Sequence, residues 1–259
     1  MRQRRKKVVI SNRDMNKRLK EIHEKNARWE KESPYNFCDR WCERCVHEKQ
    51  IRCALYKDDL ERKITCIAHG RDEDDSEMTE AIMEEQYKEV DEKLNECMDK
   101  FGINSDVGAF DDEDAVDFEN LPQDIQDHIQ FVQNNPLEAA AKSYCHKGRA
   151  FLQNVFYDND KVNPILKYDF EAVSWYHTLL QVKLHRALCG FHESACEGEF
   201  ALYDAVAQFQ VCKKAITLSI DALRKISPAY PAFSVQMREM LALLHNIHSR
   251  IVAMEESIL

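Results

Sequence analysis

Six glycines and six prolines serve 259 residues, so the chain has few places at which its backbone can reverse tightly. Sandwiches, barrels and doubly wound sheets need many such turns, whereas long helices need few. The scarcity predicts an all-α protein, and the apolar periodicity locates its helices. Over 76–101, Met83, Tyr87, Val90, Leu94, Cys97 and Phe101 recur at alternating steps of four and three. That is a seam of a and d positions. Ser76 is placed to cap this helix, Gly102 lies just past its end, and its outward face is acidic, as expected of a bundle helix. An earlier helix runs from Ser11 to Glu32, capped by Asn12 or Asp14, with Met15, Leu19, Ile22 and Trp29 on one face and Ser33-Pro34 as its stop. A short helical stretch reaches Cys66, and Gly70 ends it. Pro122 suits a first helical position and opens a short helix that closes at Asn134-Asn135-Pro136. Four amphipathic segments follow, at about 136–156, 168–190, 198–226 and 232–257. One stripe holds Phe170, Val173, His177, Leu180 and Leu184. The next holds Leu202, Ala205, Phe209, Cys212, Ile216, Ile220 and Leu223, and the last holds Met237, Leu241, Leu244, Ile247 and Ile251. Short connections between such segments predict an antiparallel bundle.

The net charge of −10 is unevenly spread: residues 71–120 hold 20 acidic and 4 basic side chains. A tract this acidic repels polyanions and argues against nucleic acid lying along it. Asp111-Asp112-Glu113-Asp114 falls in 104–120, where periodicity is weak. The segment reads as an acidic linker between an N-terminal region, 1–103, and a bundle, 121–259. Five of the first seven residues are Arg or Lys, which reads as a solvated basic arm. Contact of that arm with phosphate is the alternative, and it keeps nucleic acid open as a partner. The arm is followed by three apolar residues only, so it is no signal peptide. No apolar run approaches the roughly 18 residues of a membrane span. The expectation is a cytoplasmic protein without membrane contact.

A reducing compartment keeps thiols from forming a disulfide framework, so the ten cysteines need another account. Cys97, Cys145, Cys189, Cys196 and Cys212 stand singly in helical context and read as small core residues. Cys38, Cys42, Cys45 and Cys53 form C-x3-C-x2-C-x7-C among charged neighbours, a setting too polar for packing to explain. A C-x2-C pair wraps a metal between its two sulfurs. The compact set predicts a [4Fe-4S] cluster on all four thiolates. Structural zinc favours two separated pairs, and the alternative set is Cys42, Cys45, Cys66 and His69. The C-x3-C-x2-C start also equals the spacing of radical S-adenosylmethionine enzymes. Arg44 stands where those carry an aromatic residue, and no strands for a β/α barrel are evident, so that class is excluded.

A C-x2-C pair, a hydrophobic residue and a distal cysteine resemble the cluster loops of adenine DNA glycosylases and of CRISPR-associated and RecB-type exonucleases. Val46 stands where proline is frequent in those loops. The phrase Cys38-Asp39-Arg40-Trp41-Cys42-Glu43-Arg44-Cys45, taken with Trp175-Tyr176-His177 and Lys183-Leu184-His185-Arg186, resembles an uncharacterised family of bacterial proteins over about a third of the chain. The resemblance implies that the cysteine motif and the bundle belong to one protein type, and it implies no activity.

A bundle with internal histidines invites a di-iron reading, which needs Glu-x-x-His on two helices. No Glu-x-x-His occurs in 121–259. Glu171 and His177, like Glu239 and His245, are six residues apart, about 120° around a helix. A divergent metal site around Glu171, His177, His185 and His245 is the remaining enzymatic reading, with His245 and His248 sharing a face. On its apolar stripe His177 reads as a satisfied core residue. Lys183 and Arg186 read as cations near the end of their helix, where the dipole favours them, or else as an anion-binding pair. Nucleophile elbows, P-loops and dinucleotide fingerprints are absent, and no catalytic residue is assigned. The leading expectation is a metal-binding or iron–sulfur protein whose centre steadies the fold or supports contact with an unidentified macromolecule. A redox or metalloenzyme and a nucleic-acid-associated module are the alternatives.

Overall fold

The computed structural model describes residues 12–101, 121–157 and 163–257. The basic arm at 1–7 and the expected linker at 104–120 lie outside the described residues, as do the side chains of Cys97, Phe101 and Cys196. Among the described residues every regular element is helical: α1 (Asn12–Glu32), α2 (His47–Arg52), α3 (Ala54–Ala68), α4 (Ser76–Phe101), α5 (Gln123–Gln133), α6 (Pro136–Leu152), α7 (Lys167–Glu197), α8 (Glu199–Ile226) and α9 (Ser234–Glu256). They fall into two compact units, one of residues 1–41 with 123–259 and one of residues 42–122. The units thus group the N-terminal helix with the bundle, a division different from that expected at the acidic stretch.

In the first unit α6, α7, α8 and α9 form a helical bundle in which each helix packs on two others, α6 on α7, α7 on α8, α8 on α9 and α9 on α6. The expected stripes supply its core: Phe170, Leu180, Leu184, Phe209, Leu223, Leu244, Ile247 and Ile251 are all fully buried. At roughly 1.5–3 kcal/mol for each large aliphatic or aromatic side chain taken from water, this apolar seam is the main term holding the unit together. Asn135 caps α6 by accepting a hydrogen bond from the Leu137 amide at 2.9 Å, with Pro136 opening the helix.

α7 is longer than the sequence suggested. It runs to Glu197, and a single residue, Gly198 at φ 85°, ψ −156°, separates it from α8. Only glycine adopts that conformation without strain. Side chains then pair Arg186 with Asp204, Lys183 with Gln208 and Asp169 with Lys225, so the two helices run back along each other. Where α6 meets α7, a Cβ on Gly148 would lie 2.8 Å from the Cβ of His177, which is why no side chain fits there. α1 lies along α8 through Ile22, Leu202, Tyr203 and Val206, with Leu19 and Trp29 at the edge. Asn26 donates to the Tyr203 carbonyl at 2.9 Å.

The second unit holds α2, α3 and α4. α4 begins where expected, but its cap is Asp75, whose carboxylate accepts from the Met78 amide at 2.8 Å, and Ser76 is already helical. The heptad seam is not buried as in a bundle helix: Met83, Tyr87, Val90 and Leu94 are 38–62% exposed. α3 touches α4 only sparingly, and no described helix of this unit lies along the seam. The unit buries Cys53 and Cys66 and leaves Ile51, Leu55, Leu60, Ile64 and Ile67 exposed.

Candidate functional site: the cysteine segment

Ser33 closes α1 by donating its amide to the Trp29 carbonyl at 2.8 Å, and Pro34–Asn36 then form one 3-10 turn. The Cys38 thiol follows, 3.6 Å from the Tyr35 carbonyl oxygen. Arg40 has φ 55°, the left-handed region, a conformation that costs a side-chain-bearing residue free energy and persists only where its surroundings fix it. The surroundings are Asp39 and Trp41, both buried.

Asp39 joins this segment to the bundle. Its carboxylate accepts from the Tyr176 hydroxyl at 2.9 Å, the Lys214 amine at 2.7 Å and the Trp41 amide at 3.3 Å. Its backbone carbonyl accepts from the Trp175 indole at 2.8 Å. Burial pushes the Asp39 carboxyl upward, but the hydrogen bonds from Lys214 and Tyr176 outweigh it and hold the group below the ordinary aspartate value. Trp41 stacks on Trp175 with ring centres 5.3 Å apart and meets Tyr176 edge-on at 5.7 Å.

A second anchor lies one step earlier in the chain. Gln208, fully buried on α8, donates to the Asn36 carbonyl at 3.0 Å and to Asp204 at 3.0 Å, and accepts from the Lys183 amine at 3.0 Å. Arg186 grips Asp204 with two bonds of 2.8 and 2.7 Å. Lys183 is itself buried, and burial depresses its amine below the usual lysine value. Arg40 and Arg186 push the same way, while the Cys38 and Cys212 thiols oppose. Both cations sit mid-helix, with α7 running on to Glu197. The dipole explanation offered from the sequence therefore gives way to a positioning one: they hold the segment through Gln208 and Asp204.

The three separated phrases singled out in the sequence thus converge. Asp39 and Trp41 meet Trp175 and Tyr176, and Lys183 and Arg186 fix the turn at Asn36. Gln208, Asp204 and Lys214 were missed. The signal for Gln208 was a lone amide in the apolar run Ala205-Val206-Ala207-Gln208-Phe209, where burial demands hydrogen-bond partners.

In the second unit Cys42 opens a 3-10 turn, Cys42–Arg44, and the Cys45 amide donates to the Cys42 carbonyl at 3.1 Å. The Gln50 side chain donates to that same carbonyl at 2.9 Å. Both thiols are half-buried. Cys53 is buried at the N-cap position of α3. Of the alternative set, Cys66 is fully buried within α3 and His69 is exposed at its C-cap. Among the described residues no three His, Cys, Asp or Glu side chains are gathered into a group that could hold a metal ion.

The bundle candidates are held separately. His177 is buried, its Nδ1 2.7 Å from the Ser174 carbonyl oxygen, and burial lowers its pKa. His245 Nδ1 lies 2.6 Å from the Leu241 carbonyl oxygen, His185 Nδ1 faces Glu138 at 3.4 Å, and Glu171 is half-buried on α7. Among the described helices none is long and apolar enough to cross a membrane. Compared with protein-family models, curated proteins and solved structures, the chain has no match in any of the three.

Proposed function

We propose that the cysteine segment holds a metal or iron–sulfur centre through Cys38, Cys42, Cys45 and Cys53, and that this centre steadies the segment for contact with another macromolecule in the cytoplasm. The observation that carries the reading is the Cys42–Cys45 pair at the ends of one tight turn, the local shape in which two sulfurs reach one ion or one cluster edge. The donor chemistry supports it: four thiols within sixteen residues, one of them at a helix N-terminus. When bound, the centre would contribute its binding free energy to folding. Asp39, Trp41 and Gln208 hold the neighbouring chain independently of it. The exposed Ile51, Leu55, Ile64, Val90 and Leu94 supply apolar surface suited to a macromolecular partner.

The test is anaerobic purification of the full chain, followed by metal and sulfide analysis and a visible spectrum. About four iron and four sulfide per chain would establish [4Fe-4S]. One zinc in a colourless protein would move the ligands to Cys42, Cys45, Cys66 and His69. Cys42→Ser and Cys45→Ser should lose metal and thermal stability together, and full retention of metal by both variants would remove the assignment.

A further inference from the structure

Away from the cysteine segment, the first unit brings two histidines from different helices face to face. His128, midway along α5, and His192, near the end of α7, approach with their Nδ1 atoms 3.2 Å apart. The ring centres are 5.1 Å apart and the planes cross at 75°. Both residues are half-buried. Phe131, one turn beyond His128, lies against the His192 ring at 4.7 Å between centres and limits its rotation. On the far side of His128, the Glu193 carboxylate faces Nε2 at 3.8 Å.

We propose that His128 and His192 form a binding site for a borderline divalent transition ion such as Zn²⁺, with the two Nδ1 atoms as ligands and the remaining positions taken by water. The inter-ring distances carry it. Two imidazoles on one tetrahedral ion, with metal–nitrogen bonds of about 2.05 Å, place their donor nitrogens roughly 3.3 Å apart and their ring centres roughly 5.2 Å apart. Both figures match those found. A linear N–H···N hydrogen bond at the same nitrogen separation would instead hold the ring centres roughly 5.5 Å apart. The rings are therefore inclined to the line joining their nitrogens, an inclination that a shared ion accommodates and that a bent hydrogen bond between the rings fills when the ion is away.

Glu193 completes the arrangement in the way carboxylates support metal-bound imidazoles. At 3.8 Å the carboxylate is beyond direct hydrogen-bond reach of Nε2. Its negative charge favours the proton on that nitrogen, which leaves the Nδ1 lone pair of His128 facing His192. Without metal, the Nδ1–H of His192 donates to that lone pair. On binding, His192 carries its proton on Nε2 and presents its own Nδ1 lone pair. The proton that leaves Nδ1 of His192 is replaced from solvent at its Nε2, so the exchange balances. The site draws nothing from the cysteines, so it stands or falls separately from the centre proposed there.

The test is Zn²⁺ titration of the full chain against a chelating dye, in the wild-type protein and in the Cys42→Ser/Cys45→Ser background. His128→Gln and His192→Gln should each remove one equivalent in both backgrounds. Glu193→Gln should keep the equivalent and weaken it by less than about 10-fold, since the carboxylate acts through charge at 3.8 Å and not through a hydrogen bond. Co²⁺ provides a readout that does not depend on folding of the histidine variants. In the cysteine-substituted background it should give imidazole-type d–d bands without thiolate charge transfer, and adding Zn²⁺ should abolish them. Unchanged stoichiometry in both histidine variants, or no visible Co²⁺ bands in that background, would overturn the proposal.

Discussion

Replacing Asp39 tests whether the turn that follows α1, residues 33–41, is held by the bundle. In Asp39→Ala, the Tyr176 hydroxyl, buried and 2.9 Å from the lost carboxylate, forfeits an ionic acceptor in a place water reaches poorly. A hydrogen bond to a charged group contributes about 1.5–3 kcal/mol. Lys214 is 60% exposed and regains water, so its pair counts for only about 0.2–1 kcal/mol. The Trp41 amide, at 3.3 Å, has a longer and weaker bond. The expected loss is about 2–4 kcal/mol for Asp39→Ala and about 1 kcal/mol for Asp39→Asn, whose amide oxygen still accepts from Tyr176. Urea unfolding followed by tryptophan fluorescence measures it, since two of the three tryptophans, Trp41 and Trp175, stack at this joint. Near-ultraviolet circular dichroism should lose the signal of that pair. The carboxyl is held below its ordinary value, so its contribution is fully present above the unfolded value of about 3.9 and is lost as the pH falls below it. The difference between wild type and Asp39→Asn should be constant above pH ~5 and shrink as the pH falls below ~4. An Asp39→Ala variant within about 0.5 kcal/mol of wild type would refute the reasoning.

Other substitutions separate packing from exposure. Gly148→Ala gains helix propensity, but its new methyl would lie 2.8 Å from the His177 Cβ, an atom fixed to the α7 backbone. The net should be a loss of about 1–2 kcal/mol from overpacking, visible as a lower Tm. Leu184→Ala, in the bundle core, should cost about 2–5 kcal/mol in chemical denaturation. Val90→Ala, on the open seam of α4, should stay within about 0.5 kcal/mol. The depressed Lys183 amine makes the unfolded chain bind more protons between its folded value and the ordinary ~10.4. Wild type should therefore gain stability relative to Lys183→Met as the pH rises through that window, which denaturation at pH 7 and pH 10 would show.

The bundle was legible because its stripes repeat at helical spacing and are also buried. Phe170 to Leu184 and Met237 to Ile251 read the same way in sequence and in space. The seam of α4 shows the limit of that signal. Periodicity reports that one face is apolar, and it does not report what covers that face, so Met83, Tyr87, Val90 and Leu94 were expected inside and are outside. The cysteine spacing was visible at once, whereas its anchors were not. Asp39 and Tyr176 are 137 residues apart, and local sequence carries no record of such a pairing. The end of α7 was placed too early, at position 190, which is Gly190. Its Cβ position lies 2.9 Å from the Ala201 carbonyl oxygen, so that glycine marks a close approach of α8 within a continuous helix. His128 and His192 belong to no motif, and only the packing of α5 on α7 joins them.

The joint at Asp39 also fixes an order of events during synthesis. Residues 12–41 are made before their partners Trp175, Tyr176, Tyr203 and Gln208, which follow more than a hundred residues later. At about 5–20 residues per second, the interval from Trp41 to Gln208 is on the order of ten to thirty seconds. Helices form in microseconds or less, so for nearly all of that time α1 and the Asp39 loop wait on the ribosome without their dock. The cysteines that follow are thus presented to the cell as a tethered, accessible segment before the bundle that will hold their flank exists.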